Sequence, residues 1–184
     1  GAHHRAAWLF AAMLLVVACA CTLAALPGKA YAKSYTMPQV NIQAQLETDG
    51  TLHVVEQRTF DFDGSFSAVW WTLSLLPTNA EFSVNGVRMM EVDDSGAAKG
   101  SMSALPEVPF ELKWREEGGP GRNSYSLDSP KNTVYVFFGS HPERVVVELG
   151  YTITNMAQVY DDVSEVYWQY LGSAWAVPSE NVTA

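Results

Sequence analysis

The chain has 184 residues, 48% of them hydrophobic and 17% charged, with 20 acidic against 11 basic side chains and a net charge of −9. Every acidic residue lies beyond position 32, as do all the basic ones except Arg5 and Lys29, so the body of the chain carries about −11 and repels phosphate backbones. Nucleic acid is not expected as a partner. Both cysteines, Cys19 and Cys21, fall in the first 32 residues, so a disulfide framework, a thiol nucleophile and cysteine-ligated zinc are not expected in the body either.

Arg5 precedes an uncharged stretch, Ala6 to Leu26, followed by Pro27, Gly28, Lys29 and the small-x-small triplet Ala30-Tyr31-Ala32. A basic start, an apolar middle and an Ala-x-Ala end predict a secretory signal peptide over residues 1–32, cleaved after Ala32. Two alternatives stay open. The 21 residues from Ala6 to Leu26 also suit an uncleaved signal anchor. Val16-Val17-Ala18-Cys19 loosely resembles a lipoprotein box acylated at Cys19, although apolar sequence continues to Leu26. The 152 residues from Lys33 are long enough to hold one core without disulfides, and residues 33–184 are expected to form one extracytoplasmic domain.

Gln39 to Glu47 alternates, with Val40, Ile42, Ala44 and Leu46 on one face. Thr51 to Phe62 reads as a long strand bounded by Asp49-Gly50 and Asp63-Gly64, both hairpin signals. With Phe66 to Leu76 as a third strand, these predict an antiparallel meander. Asn85-Gly86 predicts another hairpin between Glu81–Val84 and Val87–Val92. Asp93 to Pro106 reads as a solvated loop, Phe110-x-Leu112-x-Trp114 as a half-buried strand, and Glu116 to Arg122 as a flexible turn. Its glycines invite a phosphate-cradle reading, but no Lys-Ser/Thr follows them.

Ser124–Leu127 and Thr133–Phe138 are strands around the turn Asp128-Ser129-Pro130. Arg144 to Asn155 alternates best of all, with Val145, Val147, Leu149, Tyr151 and Ile153 inward, and predicts a central strand. The period then changes. Val163, Val166, Tyr167, Tyr170 and Leu171 form one helical stripe, capped by Asp162 and stopped by Gly172; a strand with Val166, Trp168 and Tyr170 inward is the alternative. Asn181 to Ala184 looks like a strand beginning. The whole predicts an all-β, immunoglobulin-like antiparallel β-sandwich with one short C-terminal helix, preceded by an apolar signal segment.

Chemical motifs are sparse. Asp61-x-Asp63-Gly64-Ser65 starts like a calcium loop, but Thr72 stands where a bidentate Glu is needed; Asp93 and Asp94 or Asp161 and Asp162 would have to converge on it in space. The body's histidines are His53, on a strand, and His141, in a turn beside Pro142, and no Gly-x-Ser-x-Gly elbow accompanies them. Glu56 and Arg58 share the parity of Leu52, Val54, Phe60 and Phe62, so either the strand bulges or the pair is mutually satisfied on a core-facing row. No catalytic residue, cofactor site or metal site is assigned. Of the tryptophans, Trp114 reads as core by its alternation, while Trp70-Trp71 must point to opposite faces of a strand. Trp70 and Trp71 are therefore the candidate binding surface.

The motifs Asp49-Gly50-Thr51-Leu52-His53-Val54-Val55-Glu56, Phe60-x-Phe62-x-Gly64-x-Phe66, Tyr160 through Trp168, and Gly172-x-x-Trp175-x-Val177-Pro178 occur in that order. Together they make residues 35–184 similar to the extracytoplasmic part of a bacterial predicted-membrane-protein family, domain of unknown function 2207. The resemblance implies a signal peptide, a β-sandwich ectodomain, and further ectodomain, transmembrane helices and a cytoplasmic tail beyond residue 184. It carries over no activity and no catalytic residue. The expected function is that of a non-catalytic extracytoplasmic domain of a membrane-anchored surface protein, attached through segments outside this chain and working through an unknown protein or cell-surface partner or as a structural module. The alternatives are a carbohydrate-binding module using exposed Trp, and a calcium-dependent or carboxylate hydrolase domain. Oligomeric state is left open.

Overall fold

The structure, a computed structural model, describes residues 33–73, 76–159, 164–166, 169 and 175–184. The signal segment, Trp168 and most of the expected C-terminal helix lie outside the described residues.

Strands β1 (Ser34–Leu46) and β2 (Leu52–Asp63) form the first hairpin. Gly50 turns it at φ +83°, and the Asp49 carboxylate accepts the Thr51 N–H at 2.9 Å, which is why an Asp-Gly pair closes here. On its other side β2 pairs with β8 (Arg144–Thr154), which in turn pairs with β4 (Glu81–Glu91). Short strands complete the edges: β5 (Ser103–Ala104) on β4, and β11 (Val182–Thr183) parallel to β1. This six-stranded sheet runs β11-β1-β2-β8-β4-β5.

A second sheet holds β3 (Ala68–Thr72), β7 (Thr133–Phe137) and β6 (Ser124–Asp128), in the order β3-β7-β6 and antiparallel throughout. The two sheets share one core. Val40, Val54, Phe60, Val147 and Leu149 of the first meet Val69, Trp71, Val134 and Val136 of the second, and the Phe60 and Trp71 rings pack edge to face at 5.8 Å. The inward row predicted for β8 is fully buried from Val145 to Ile153. Among the described residues no helix is long and apolar enough to cross a membrane.

Four expectations are corrected. The third strand of the meander leaves the sheet: after Gly64, at φ +102°, the chain crosses to the second layer, where β3 pairs with β7, and β8 takes the place beside β2. Asn85-Gly86 makes no hairpin. β4 runs through it with a bulge between Val84 and Gly86, and Asn85 exchanges hydrogen bonds with Thr152 at 2.9 and 3.1 Å across the sheet. Phe110 to Trp114 is not a strand, because residues Trp114–Glu117 form one helical turn that swings Trp114 inward and leaves Leu112 67% exposed. Finally, Ser164–Glu165 (β10) pairs antiparallel with Gln158–Val159 (β9), so a helix does not run through those two positions; backbone pairing with β9 overrides the helical spacing of their neighbours.

Candidate functional site

Trp70 and Trp71 are split by the strand pleat as expected. Trp71 is buried in the shared core, edge-on to Trp175 at 5.4 Å, while Trp70 is 58% exposed on the outer face of the three-stranded sheet. Opposite Trp70 on β7 stands Tyr135, its ring centroid 6.3 Å away and tilted by 34°.

That outer face is roofed in part by the segment from Val108 to Gly119. Val108 and Trp114 pack on Tyr135 and Phe137 as a second small core, with Phe110 stacked on Tyr135 at 5.1 Å and Trp114 edge-on to Phe137 at 5.3 Å. The glycine-rich turn follows closely: a Cβ at Gly119, where φ is +102°, would sit 2.4 Å from the Phe137 ring. Gly119 therefore lets the loop lie flat on the Phe137 ring, where the sequence suggested a flexible turn.

Between roof and Trp70 runs a groove of about 550 Å³ lined by aromatic side chains, Ser65, Ser67, Lys33 and Arg115. Arg115 donates from Nε and Nη2 to the Tyr135 hydroxyl at 3.1 and 2.9 Å, and Nη2 lies 3.3 Å from an Asp128 carboxylate oxygen. Its guanidinium sits 5.8 Å from the centres of both the Phe110 and Tyr135 rings. A smaller apolar cavity of about 150 Å³ flanks the other side of Trp70, between Phe62, Phe66 and Trp175. Sequence reasoning missed Arg115 and Tyr135. Arg115 follows the alternating Phe110-x-Leu112-x-Trp114 run that the sequence predicts as a strand and whose end the structure folds as a helical turn, and nothing in the chain links it to a tyrosine 20 residues away.

Several of the other candidates have structural partners, while Asp161 and Asp162 lie outside the described residues. Glu56 and Arg58 form a buried ion pair, Nη2 to Oε2 at 2.7 Å and Nε to Oε2 at 3.0 Å, and the Tyr151 hydroxyl donates to the other Glu56 oxygen at 2.7 Å. Arg58 also lies 4.9 Å from the centre of the Trp175 ring. The unbulged, mutually satisfied alternative is the one β2 adopts. Asp61 is held by Arg144 at 2.6 Å, and Asp93 accepts from the Ser95 hydroxyl and from the Ser95 and Ala97 N–H groups. Those bonds, the Ser95 hydroxyl foremost, hold the Asp93 carboxyl below its ordinary range. Among the described residues no three His, Cys, Asp or Glu side chains are grouped to hold a metal ion. His53 contacts Thr152 and His141 contacts the Phe66 carbonyl. Near the base of the roof, burial first and then the charge and hydrogen bond of Glu107 push the Tyr125 hydroxyl above its ordinary value.

Two β-layers with an aromatic groove on one outer face define a β-rich domain with a ligand-sized surface depression. The chain belongs to the family described as Predicted membrane protein (DUF2207) N-terminal domain, whose model matches residues 36–184. No curated protein matches the chain. Among solved structures, one described as "a putative protease from Parabacteroides distasonis ATCC 8503" is similar at 10% identity over 65% of this chain, with a TM-score of 0.30. The chain spans 22% of that protein's length, and so slight a likeness carries no argument about fold or activity.

Proposed function

We propose that residues 33–184 are an immunoglobulin-like, non-catalytic recognition domain on the extracytoplasmic side of a membrane-anchored bacterial surface protein, making its contact through the groove beside Trp70. The observation that supports this reading most directly is the split tryptophan pair: one indole locks the core and its neighbour stands exposed over a concave aromatic surface. Membership of a predicted-membrane-protein family supports the membrane association, and the apolar segment before Ala32 supports export. The non-catalytic part rests on chemistry. The two histidines of the domain sit beside a strand threonine and a backbone carbonyl, and the carboxylates described above are tied to arginines or turn amides.

Two measurements test it. Because the body has no cysteine, Ser101→Cys supplies a single thiol on an exposed loop. A membrane-impermeant maleimide should label this variant in intact spheroplasts, beyond the background of the parent chain, and labelling only after lysis would overturn the placement. A photo-crosslinking amino acid at position 70 should yield a discrete adduct in cells that the same group at Leu112, another exposed apolar position, does not. Equal adducts from both positions would remove Trp70 as the contact.

A further inference from the structure

We infer that the groove beside Trp70 is a subsite for an acidic saccharide, with the sugar ring on the indole and its carboxylate toward Arg115 and Lys33. This rests on the recognition reading above and names the ligand class. The charge pattern leads to it. The chain carries 20 acidic side chains against 11 basic ones, yet among the described residues the charged side chains lining the groove are two cations, Lys33 and Arg115. Lys33 together with Arg115, whose Nη2 is also shared with the Asp128 carboxylate at 3.3 Å, makes a local positive patch in a strongly negative protein, which selects an anion of compact size.

The groups present match one ring and one carboxylate. Trp70 offers a flat π-face, against which the C–H face of a pyranose packs as an apolar surface does. Arg115 is pre-oriented by the Tyr135 hydroxyl and Asp128 through Nε and Nη2, while its Nη1 makes no hydrogen bond among the described residues. A guanidinium held this way loses little freedom on gripping a carboxylate. Ser65 and Ser67 add hydroxyls that both donate and accept, as sugar hydroxyls require. An anionic membrane surface is a poorer match, since the protein's net charge of −9 opposes it.

The test is titration of the full chain, followed by tryptophan fluorescence and calorimetry, with oligogalacturonate, hyaluronan and alginate oligosaccharides. Neutral cello-oligosaccharides and a poly-glutamate peptide are the comparison arms. At least one acidic oligosaccharide should bind saturably, with affinity falling about tenfold or more in Lys33→Gln or Arg115→Gln, as loss of a charge-assisted contact implies, and lost in Trp70→Ala. Lys33→Gln, an exposed position near the start of β1, keeps the test valid if Arg115→Gln disturbs the roof. No binding by any of the three overturns the inference, as does equal binding of neutral sugars or binding indifferent to Trp70→Ala. Binding of poly-glutamate alone overturns the saccharide while leaving the recognition reading intact. That reading fails separately, through the position-70 crosslink.

Discussion

β8 and β7 each run down the middle of a sheet, yet only β8 alternates. In β8 every second residue is buried, whereas all five residues of β7 are. The difference lies on the far faces. Outside the six-stranded sheet stand half-buried polar groups such as Glu148, which binds Arg88 and Gln57. Outside the three-stranded sheet lie Val108, Phe110 and Trp114, a second apolar layer that stops short of Trp70. A strand with one wet face alternates in sequence; a strand covered on both sides, like Thr133–Phe137, reads as an unbroken apolar run. The groove exists because the cover is incomplete.

The largest expected effect concerns the inner row of the six-stranded sheet. Glu56→Ala removes the carboxylate to which both Arg58 and Tyr151 donate, deep in the core. It should cost about 3–5 kcal/mol, the penalty for breaking a buried ion pair. Urea unfolding measures this, and a loss below about 1 kcal/mol would show that the pair is not dry, against the typical buried case.

That pair also marks how much was legible. The period-2 rows of β2 and β8 were readable because each faces one core, and the β1 row faces it as far as Ile42 and then leaves Ala44 and Leu46 exposed; even Glu56 and Arg58 kept the parity of Val54 and Phe60. Strand partners were legible only in part, as for β1 and β2. Asp-Gly at 49–50 closes a hairpin and Asp-Gly at 63–64 opens a crossover, although Gly50 and Gly64 both take positive φ. The turn chemistry is local; the choice between returning to the same sheet and crossing to the other is made by distant β8 filling the edge of β2. At Asn85-Gly86 neither residue adopts positive φ, and a cross-strand bond to Thr152 uses the Asn side chain instead. Of the site, the opposed tryptophans followed from the pleat alone. Arg115 and the roof depended on a helical turn at Trp114 that an alternating Phe-x-Leu-x-Trp run concealed.

The tryptophan pair gives the next contrast. Trp71→Ala empties a core position between Phe60 and Trp175 and should cost about 3–5 kcal/mol. Trp70→Ala, on the outer face of the same strand, should stay within about 0.5 kcal/mol of the parent. Equal losses at the two positions would mean that the outer face is packed as tightly as the inner one, and the groove is closed in solution.

Trp114→Ala tests the roof itself. Trp114 is buried and edge-on to Phe137, but its neighbours belong to a loop that relaxes more readily than a sheet. The expected cost is about 2–3 kcal/mol, at or below the lower end of the roughly 3–5 kcal/mol range for large aromatics. A near-ultraviolet circular dichroism change without a shift in the unfolding midpoint would instead show a roof that contributes shape and no stability.

A smaller loss than that of Trp114→Ala is expected where the roof joins β6. The Tyr125 hydroxyl donates to Glu107 at 3.2 Å, and the Val108 N–H donates to the Tyr125 carbonyl at 2.8 Å. Tyr125→Phe should cost about 1 kcal/mol at neutral pH, the usual worth of one hydrogen bond. The pH dependence separates this bond from simple packing. The folded hydroxyl's pKa is raised above the ordinary 10.0, by burial first and by Glu107 second, so the stabilisation is fully present below pH 10.0. It is lost as pH rises through the higher folded value, where the phenolate would face the Glu107 carboxylate. Melting curves from pH 8 to pH 11 should therefore show the parent's advantage over Tyr125→Phe closing above about pH 10, while the remaining tyrosines titrate alike in both chains. An advantage that stays constant across that range would mean that neither burial nor Glu107 raises the hydroxyl in the folded chain, and that backbone pairing with β6 alone anchors the roof.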